Sequence, residues 1–225
     1  AGACAAAGLV IGGLSMTGLG MKAANVILTV SNAQPLITLV LAAIITIILG
    51  LGMPTPSAYI LAAVLVGPAL AELGYPILQS HMFLLYFAIL SALTPPIAVA
   101  ALAAAAIADE DPFKIAFSAV RLAAIGFLIP FAFVFNPGLL LIGEPAQIGL
   151  AVAGGILAAG AIAISIEGAV GVSLRSVERM ALVVAAVAAV VPQPIIATIG
   201  MCAIVAMLGR VALTVRTERR PGAAE

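Results

Sequence analysis

Gly50-Leu51-Gly52-Met53-Pro54-Thr55-Pro56-Ser57 is a cluster of helix breakers inside a stretch, Ala23 to Ala71, that contains no charged residue. A second cluster, Ser91-Ala92-Leu93-Thr94-Pro95-Pro96, interrupts the next uncharged stretch, Leu73 to Ala108. Apolar sequence this long belongs in lipid, where each unpaired backbone N–H or C=O costs several kcal/mol. An interrupted helix is therefore tolerated there only where it is buried or lines a cavity. Two interruptions, each carrying small hydroxyl residues, predict a binding site at membrane depth.

Composition sets the class. The chain is 64% hydrophobic and 8% charged, with mean hydropathy +1.32, against about 25% charged residues in soluble domains. Its uncharged runs exceed the ~20 residues of one helical crossing and show none of the period-2 alternation of a barrel. The expected fold is thus an all-α polytopic membrane protein, with the lipid bilayer as its surroundings. Nine basic and nine acidic residues cancel, and no basic patch interleaved with aromatics is present, which excludes nucleic acid as a partner. Cys4 and Cys202, far apart and in apolar surroundings, read as packing residues and not as a disulfide or metal framework. The start Ala1-Gly2-Ala3-Cys4 has neither an initiator Met nor a charged n-region, so the chain is expected to be the C-terminal part of a longer protein.

Taken in order, residues 4–20 read as a first, tightly packed crossing, with Gly8 and Gly12 at the four-residue spacing that lets helices approach closely. Lys22 to Ser31 reads as a short, interfacial helix closed by Ser31-Asn32-Ala33-Gln34-Pro35. From Leu36 to Leu49 about 14 residues at ~1.5 Å each reach roughly 21 Å, short of a ~30 Å core. The pattern resumes at Pro54, a first-turn proline, and closes at Gly74-Tyr75-Pro76. Residues 35–72 therefore read as a re-entrant hairpin. Two ordinary short spans joined outside the membrane are the alternative, against which stands an uncharged, half-apolar turn.

Residues 77–108 read as a broken helix. Pro95 and Pro96 lack amide protons and Pro95 disfavours helix at Thr94, so a turn of carbonyls loses its donors. The alternative is a simple proline kink. One helix is expected over 113–136, ended by Asn136-Pro137-Gly138. Its Arg121 either snorkels to the surface or faces a partner within the bundle. Residues 141–225 add further crossings: a clean span over Ile148–Ile166, and a run from Met180 to Gly209 interrupted at Pro192-Gln193-Pro194 that is either two short helices or one kinked one. The tail, with Arg210, Arg216, Arg219 and Arg220, is cytoplasmic by the positive-inside rule, which places the hairpin mouth outside.

No Ser/His/Asp, Cys/His or paired-carboxylate arrangement is available for catalysis, so the chain is not expected to be an enzyme and no organic cofactor is implied. His81, the lone histidine, reads as a satisfied interfacial imidazole or, alternatively, as a switch or ligand. Glu72 and Glu167 read as helix-end charges, and Tyr59, Tyr75 and Tyr86 as packing or interface anchors. A hairpin tip opposite a broken helix is how secondary transporters hold sodium on unwound carbonyls and hydroxyls, while half-helix N-termini face an anionic substrate. The candidate sodium ligands are the carbonyls of Gly50, Gly52 and Ser91 and the oxygens of Thr55 and Thr94. Half-helices beginning at Pro54 and Pro96 would point at a carboxylate, with Pro54, Ser57, Pro95 and Pro96 as the substrate-facing positions.

The ordered series Gly50-Leu-Gly-Met-Pro-Thr-Pro-Ser-Ala-Tyr-Ile60, Gly67-Pro68, His81-Met-Phe83, Tyr86-Phe87, Ser91-Ala-Leu-Thr-Pro-Pro96, Asp111-Pro-Phe-Lys114 and Ala119-Val-Arg-Leu122 resembles the large membrane component of TRAP transporters. The likeness is nearest to permeases in which small and large membrane parts are fused. It covers about residues 4–140, leaving the region after Gly143 only loosely similar to the extra C-terminal helices of such chains. The resemblance implies a sodium-coupled importer of small organic anions such as dicarboxylates, working as an elevator in the inner membrane. It also implies a periplasmic substrate-binding protein and a small membrane subunit, or its fused equivalent, as partners. Residues 1–140 would then be the second half of an inverted-repeat transport region, with Gly50, Ser91, Thr94 and the Ile97 carbonyl around one sodium. Met53-Pro54 stands where other large subunits carry an Asp, and Ser91 where Gly is usual. Rival readings are a secondary carrier without a binding protein and a non-transporting membrane scaffold.

Overall fold

A computed structural model describes residues 2–168 and 174–218, where all regular structure is helical. The all-α polytopic expectation is met. The chain divides into two compact units, Ala1–Val134 and Phe135–Glu225. The side chains of Cys4 and Arg216, and all of Arg219 and Arg220, lie outside the described residues.

The first unit begins with α1 (Gly2–Met16) and α2 (Leu19–Ser31), separated at Gly18 in a left-handed conformation. The tight packing expected at Gly8 and Gly12 is absent: a Cβ at either would meet nothing within 4 Å. Close approach occurs instead at the buried Gly20, where a Cβ would lie 2.5 Å from the Val64 carbonyl oxygen. The close approach is thus made by a glycine outside the Gly8/Gly12 pair, since small residues permit a close crossing without specifying a neighbour.

Helix α3 (Pro35–Gly50) starts on a proline, which has no amide to leave unpaired. It ends where Gly52 takes φ +75°, a conformation that glycine adopts at little cost. The chain then returns through α4 (Thr55–Leu65) and α5 (Gly67–Glu72), and α6 (Ile77–Leu90) follows the turn at Gly74. Helix α7 (Val99–Ala108) starts three residues beyond the expected Pro96, because Thr94 to Ala98 is taken up in turns and Ala98 is left-handed at φ 41°. The arms α3 and α4 and the halves α6 and α7 are all apolar helices too short to cross a membrane alone, as a re-entrant hairpin and a broken helix require.

The core of this unit gathers Leu39, Leu70, Phe83, Leu84 and Phe87, all essentially inaccessible. Phe83 and Phe87, one turn apart on α6, pack on Phe131 with ring centroids 5.3 and 5.8 Å away. The single helix expected over 113–136 is two, α8 (Pro112–Leu122) and α9 (Ala124–Phe135), bent by 41°. The break follows from a tightened turn, in which the Gly126 amide donates to the Ala123 carbonyl at 2.7 Å. Gly126 also lies against Leu90, whose Cδ2 would sit 3.3 Å from an added Cβ. The start of α8 is capped by Asp111 Oδ1, which accepts from the amides of Phe113 and Lys114 at 2.9 and 3.0 Å.

The second unit is α10 (Pro145–Glu167), α11 (Ser176–Val190) and α12 (Pro194–Glu218), each folded back on the one before. The run interrupted at Pro192 is therefore two helices. Pro145–Glu167 and Pro194–Val211 are the described helices long and apolar enough to cross a membrane, up to four such spans resulting if each bent helix pair counts as one. Glycines set the spacing. Gly154 abuts the Ala189 carbonyl, and a Cβ on Gly200 would lie 2.5 Å from the Ala189 nitrogen and 2.8 Å from the Ala185 oxygen. Gly200→Ala should therefore lower the thermal midpoint of the detergent-solubilised protein, by an overpacking cost of about 1–3 kcal/mol. Gly160→Ala, at a site open for 4 Å around, should leave that midpoint unchanged or raised.

Candidate functional site

The site is built where the two breaker clusters meet. On the hairpin side, α3 ends at Gly50, whose carbonyl accepts from the Met53 amide at 3.2 Å, and Pro54 leads into α4. On the other side, α6 ends at Leu90, and the non-helical segment from Ser91 to Ala98 contains a cis Pro95–Pro96 bond. A Cβ on Gly50 would collide with Ser91 Oγ and lie 2.7 Å from Ser91 Cβ, and one on Gly52 would lie 3.4 Å from Ile97 Cδ1. Gly50 with Ser91, and Gly52 with Ile97, are therefore brought together across some forty residues of sequence. Thr94 lies within the broken segment and Thr55 opens α4 beside the tip, both half-buried.

The hydroxyl chemistry is specific. Ser91, 1% exposed, donates through Oγ to the Ala88 carbonyl at 2.8 Å, and Thr94 Oγ1 donates to the Leu90 carbonyl at 2.8 Å. Each hydroxyl thus directs its proton into its own helix and keeps oxygen lone pairs to offer. The backbone adds acceptors. Ser91, Ala92 and Thr94 carbonyls accept from the amides of Thr94, Ala100 and Ala98. The carbonyls of Gly52, Leu93, Pro95, Pro96 and Ile97 have no hydrogen-bond donor among the described residues. Pro95 and Pro96 contribute to these unpaired acceptors by bringing no amide donors, while the amides of Gly52, Thr55, Ser57, Ile97, Val99 and Ala101 have no acceptor among the described residues.

Of the positions expected to face substrate, Pro54 and Pro96 are exposed and Pro95 is half-buried. Ser57 is 3% exposed, with an Oγ that has no partner among the described residues. Among the described residues Thr46, fully buried one helical turn before Gly50, and Ser80 on α6 have equally unpartnered hydroxyls. Nothing in the sequence distinguished Thr46 from a packing threonine, because only the missing back-bond to its own helix sets it apart.

Two residues read as anchors turn out to be joined. Tyr59 Oη lies 2.8 Å from His81 Nδ1, with the rings edge to face at 5.9 Å. Tyr86 packs edge to face on Phe133. At the hairpin mouth, burial lifts the Tyr75 phenol above its ordinary pKa, so it stays neutral. Arg121 is exposed on the last turn of α8. Among the described residues no group of three or more His, Cys, Asp or Glu side chains is placed to hold a metal ion.

The Gly50 contact is directly testable. Gly50→Ala should lower the thermal midpoint through a clash of about 1–3 kcal/mol, and adding Ser91→Gly should recover most of that loss by removing the atoms struck.

A family model described as the DctM component of the tripartite ATP-independent periplasmic transporters matches residues 1–148, which takes in the whole first unit and both breaker clusters. No curated protein and no solved structure matches the chain.

Proposed function

The chain belongs to the family of DctM components of tripartite ATP-independent periplasmic transporters, and on that premise we propose that it forms part of a sodium-coupled permease for small organic anions. The family is one of transporters and not of enzymes, and the apolar helices make this a membrane protein. The meeting of the hairpin tip with the broken helix, Gly50 on Ser91 and Gly52 on Ile97, is the observation that carries the proposal.

In this reading a sodium ion is held by the carbonyls of Gly50, Gly52, Ser91 and Ile97 and by the hydroxyl oxygens of Thr94 and Thr55. Carbonyl dipoles suit a hard monovalent cation, which needs oxygens and no fixed negative charge. Two of these carbonyls, Gly52 and Ile97, have no competing hydrogen bond among the described residues. Side chains on the site carry no charge, so the cation itself supplies the positive charge that draws an anion. The first turn of α4 adds amides without intrahelical acceptors, a favourable end for a carboxylate. Binding of ion and substrate is coupled because each lowers the electrostatic cost of the other at one small, desolvated place.

Substrates of the dicarboxylate type, delivery by a periplasmic binding protein, association with a small membrane subunit or its fused equivalent, and elevator movement of the hairpin with the broken helix complete the proposal. It places the protein in the inner membrane with a cytoplasmic tail. The test is uptake of a labelled dicarboxylate by proteoliposomes carrying the complete permease and its binding protein. Replacing sodium by choline should abolish uptake, and Thr94→Ala should raise the half-saturating sodium concentration about tenfold, a loss near 1.4 kcal/mol. Uptake that persists in choline would refute the coupling.

A further inference from the structure

We propose that Tyr59 and His81 are positioning residues for the ion site: their hydrogen bond sets the distance between the hairpin's returning arm and the first half of the broken helix. The proposal rests on the sodium-site reading above. Tyr59 is on the second turn of α4 and His81 on the second turn of α6, and Oη and Nδ1 are 2.8 Å apart. Among the described residues no other side-chain to side-chain hydrogen bond joins α4 to α6. Ala62, Phe83, Leu84 and Phe87 of these helices share one apolar core, with Ala58 and the polar Ser57, Gln79 and Ser80 also buried on them. Apolar faces resist separation but permit sliding, whereas a hydrogen bond weakens steeply with angle and length.

The bond is wired to the site through a short path. Ala58, next to Tyr59 and wholly buried, faces Gly50, whose added Cβ would be 3.4 Å from the Ala58 Cβ. Gly50 in turn sits on Ser91, at the opposite end of α6 from His81. Helix α4 is thus fixed against α6 at two levels, directly through Tyr59 and indirectly through Ala58 and Gly50. Releasing the first leaves the second to hold the tip alone.

Proton placement follows from the inventory of the two groups. A phenol has one proton, and with Oη donating to Nδ1 both atoms are satisfied by one bond. With Oη as the donor, Nδ1 is the acceptor. This predicts which replacement works. The carbonyl oxygen of an Asn at 81 falls near the place of Nδ1 and can accept from Tyr59, whereas a Leu fills space and accepts nothing.

Uptake as a function of sodium concentration, measured with the complete permease and binding protein in proteoliposomes, provides the test. Tyr59→Phe and His81→Leu should each raise half-saturating sodium about five- to tenfold, while the rate at saturating sodium stays within about twofold. His81→Asn should stay within about twofold of wild type in both quantities. Thermal midpoints in detergent should be alike for all. Unchanged half-saturating sodium in Tyr59→Phe, or an equal fall in rate at every sodium concentration accompanied by a lower midpoint, would overturn the positioning role. If Tyr59→Phe does not accumulate in the membrane, the contrast of His81→Leu with His81→Asn decides the question alone. Wild-type uptake indifferent to sodium would instead mark failure of the sodium-site reading itself.

Discussion

A backbone interrupted inside an apolar segment must still provide for its amides and carbonyls, and the first unit answers this demand asymmetrically. Pro54, Pro56, Pro95 and Pro96 lie in the two interruptions and bring no amide donors. The amides of Met53, Thr94, Ala98 and Ala100 find nearby carbonyls. Among the described residues the unpaired groups at the breaks include the carbonyls of Gly52, Leu93, Pro95, Pro96 and Ile97 and the amides of Gly52, Thr55, Ser57, Ile97, Val99 and Ala101. An underused carbonyl with two lone pairs is cheaper to keep than an orphaned amide, and each proline at a break removes one amide that would otherwise need an acceptor.

Glycine decides whether the two breaks meet. At Gly50 the absent Cβ is the space that Ser91 occupies, and at Gly52 the left-handed φ turns the chain over Ile97. Unpaired carbonyls are then present on both elements, so a ligand that engages both ties the hairpin to the broken helix. The same logic spaces the second unit, where Gly154 and Gly200 bring α10 and α12 onto the backbone of α11. There the polar contacts serve the helix ends. Asn136 donates through Nδ2 to the Val190 carbonyl at 2.9 Å, and Arg179 donates to the Ser165 and Ile166 carbonyls at 2.6 and 3.3 Å. Arg179 thereby places a cation at the negative end of α10.

The hairpin and the broken helix could be read from the chain because prolines and glycines act locally: their effect on φ and on donors does not depend on what packs around them. The end of α3, the proline-led return and the interruption after Leu90 all follow from such residues. The break at Ala123 could not be read in that way, since Ala123 and Ala124 favour helix and the tightened turn shows only in the bond from the Gly126 amide to the Ala123 carbonyl. The start of α7 was misplaced for a related reason, as a proline at a first helical position and prolines within a turn look alike in sequence. Gly8 and Gly12 had the spacing for a close crossing, but only the fold tells which glycine has a neighbour. The Tyr59–His81 pair was the least legible, because each residue alone suits an interfacial anchor and their bond exists only once α4 crosses α6.

Hydroxyl groups separate structure from candidate function more finely than residue type does. Thr29, Thr38, Thr94 and Thr198 each donate to a carbonyl one turn back, as do Ser31 and Ser91. This is how a helix in an apolar setting ordinarily quiets a hydroxyl. For Ser91 and Thr94 the habit has a further consequence, because they stand at the end of α6 and in the break that follows it, where Ser91 Oγ lies against Gly50 of the hairpin tip. Among the described residues Thr46, Ser57 and Ser80 depart from the habit while buried, and an unmade bond at such a place carries a cost in the arrangement seen. Thr46 and Ser57 stand within a turn or so of the hairpin tip and Ser80 on the first turn of α6, so a shift of the tip would change the partners open to the first two hydroxyls while Gly50 against Ser91 opposes that shift.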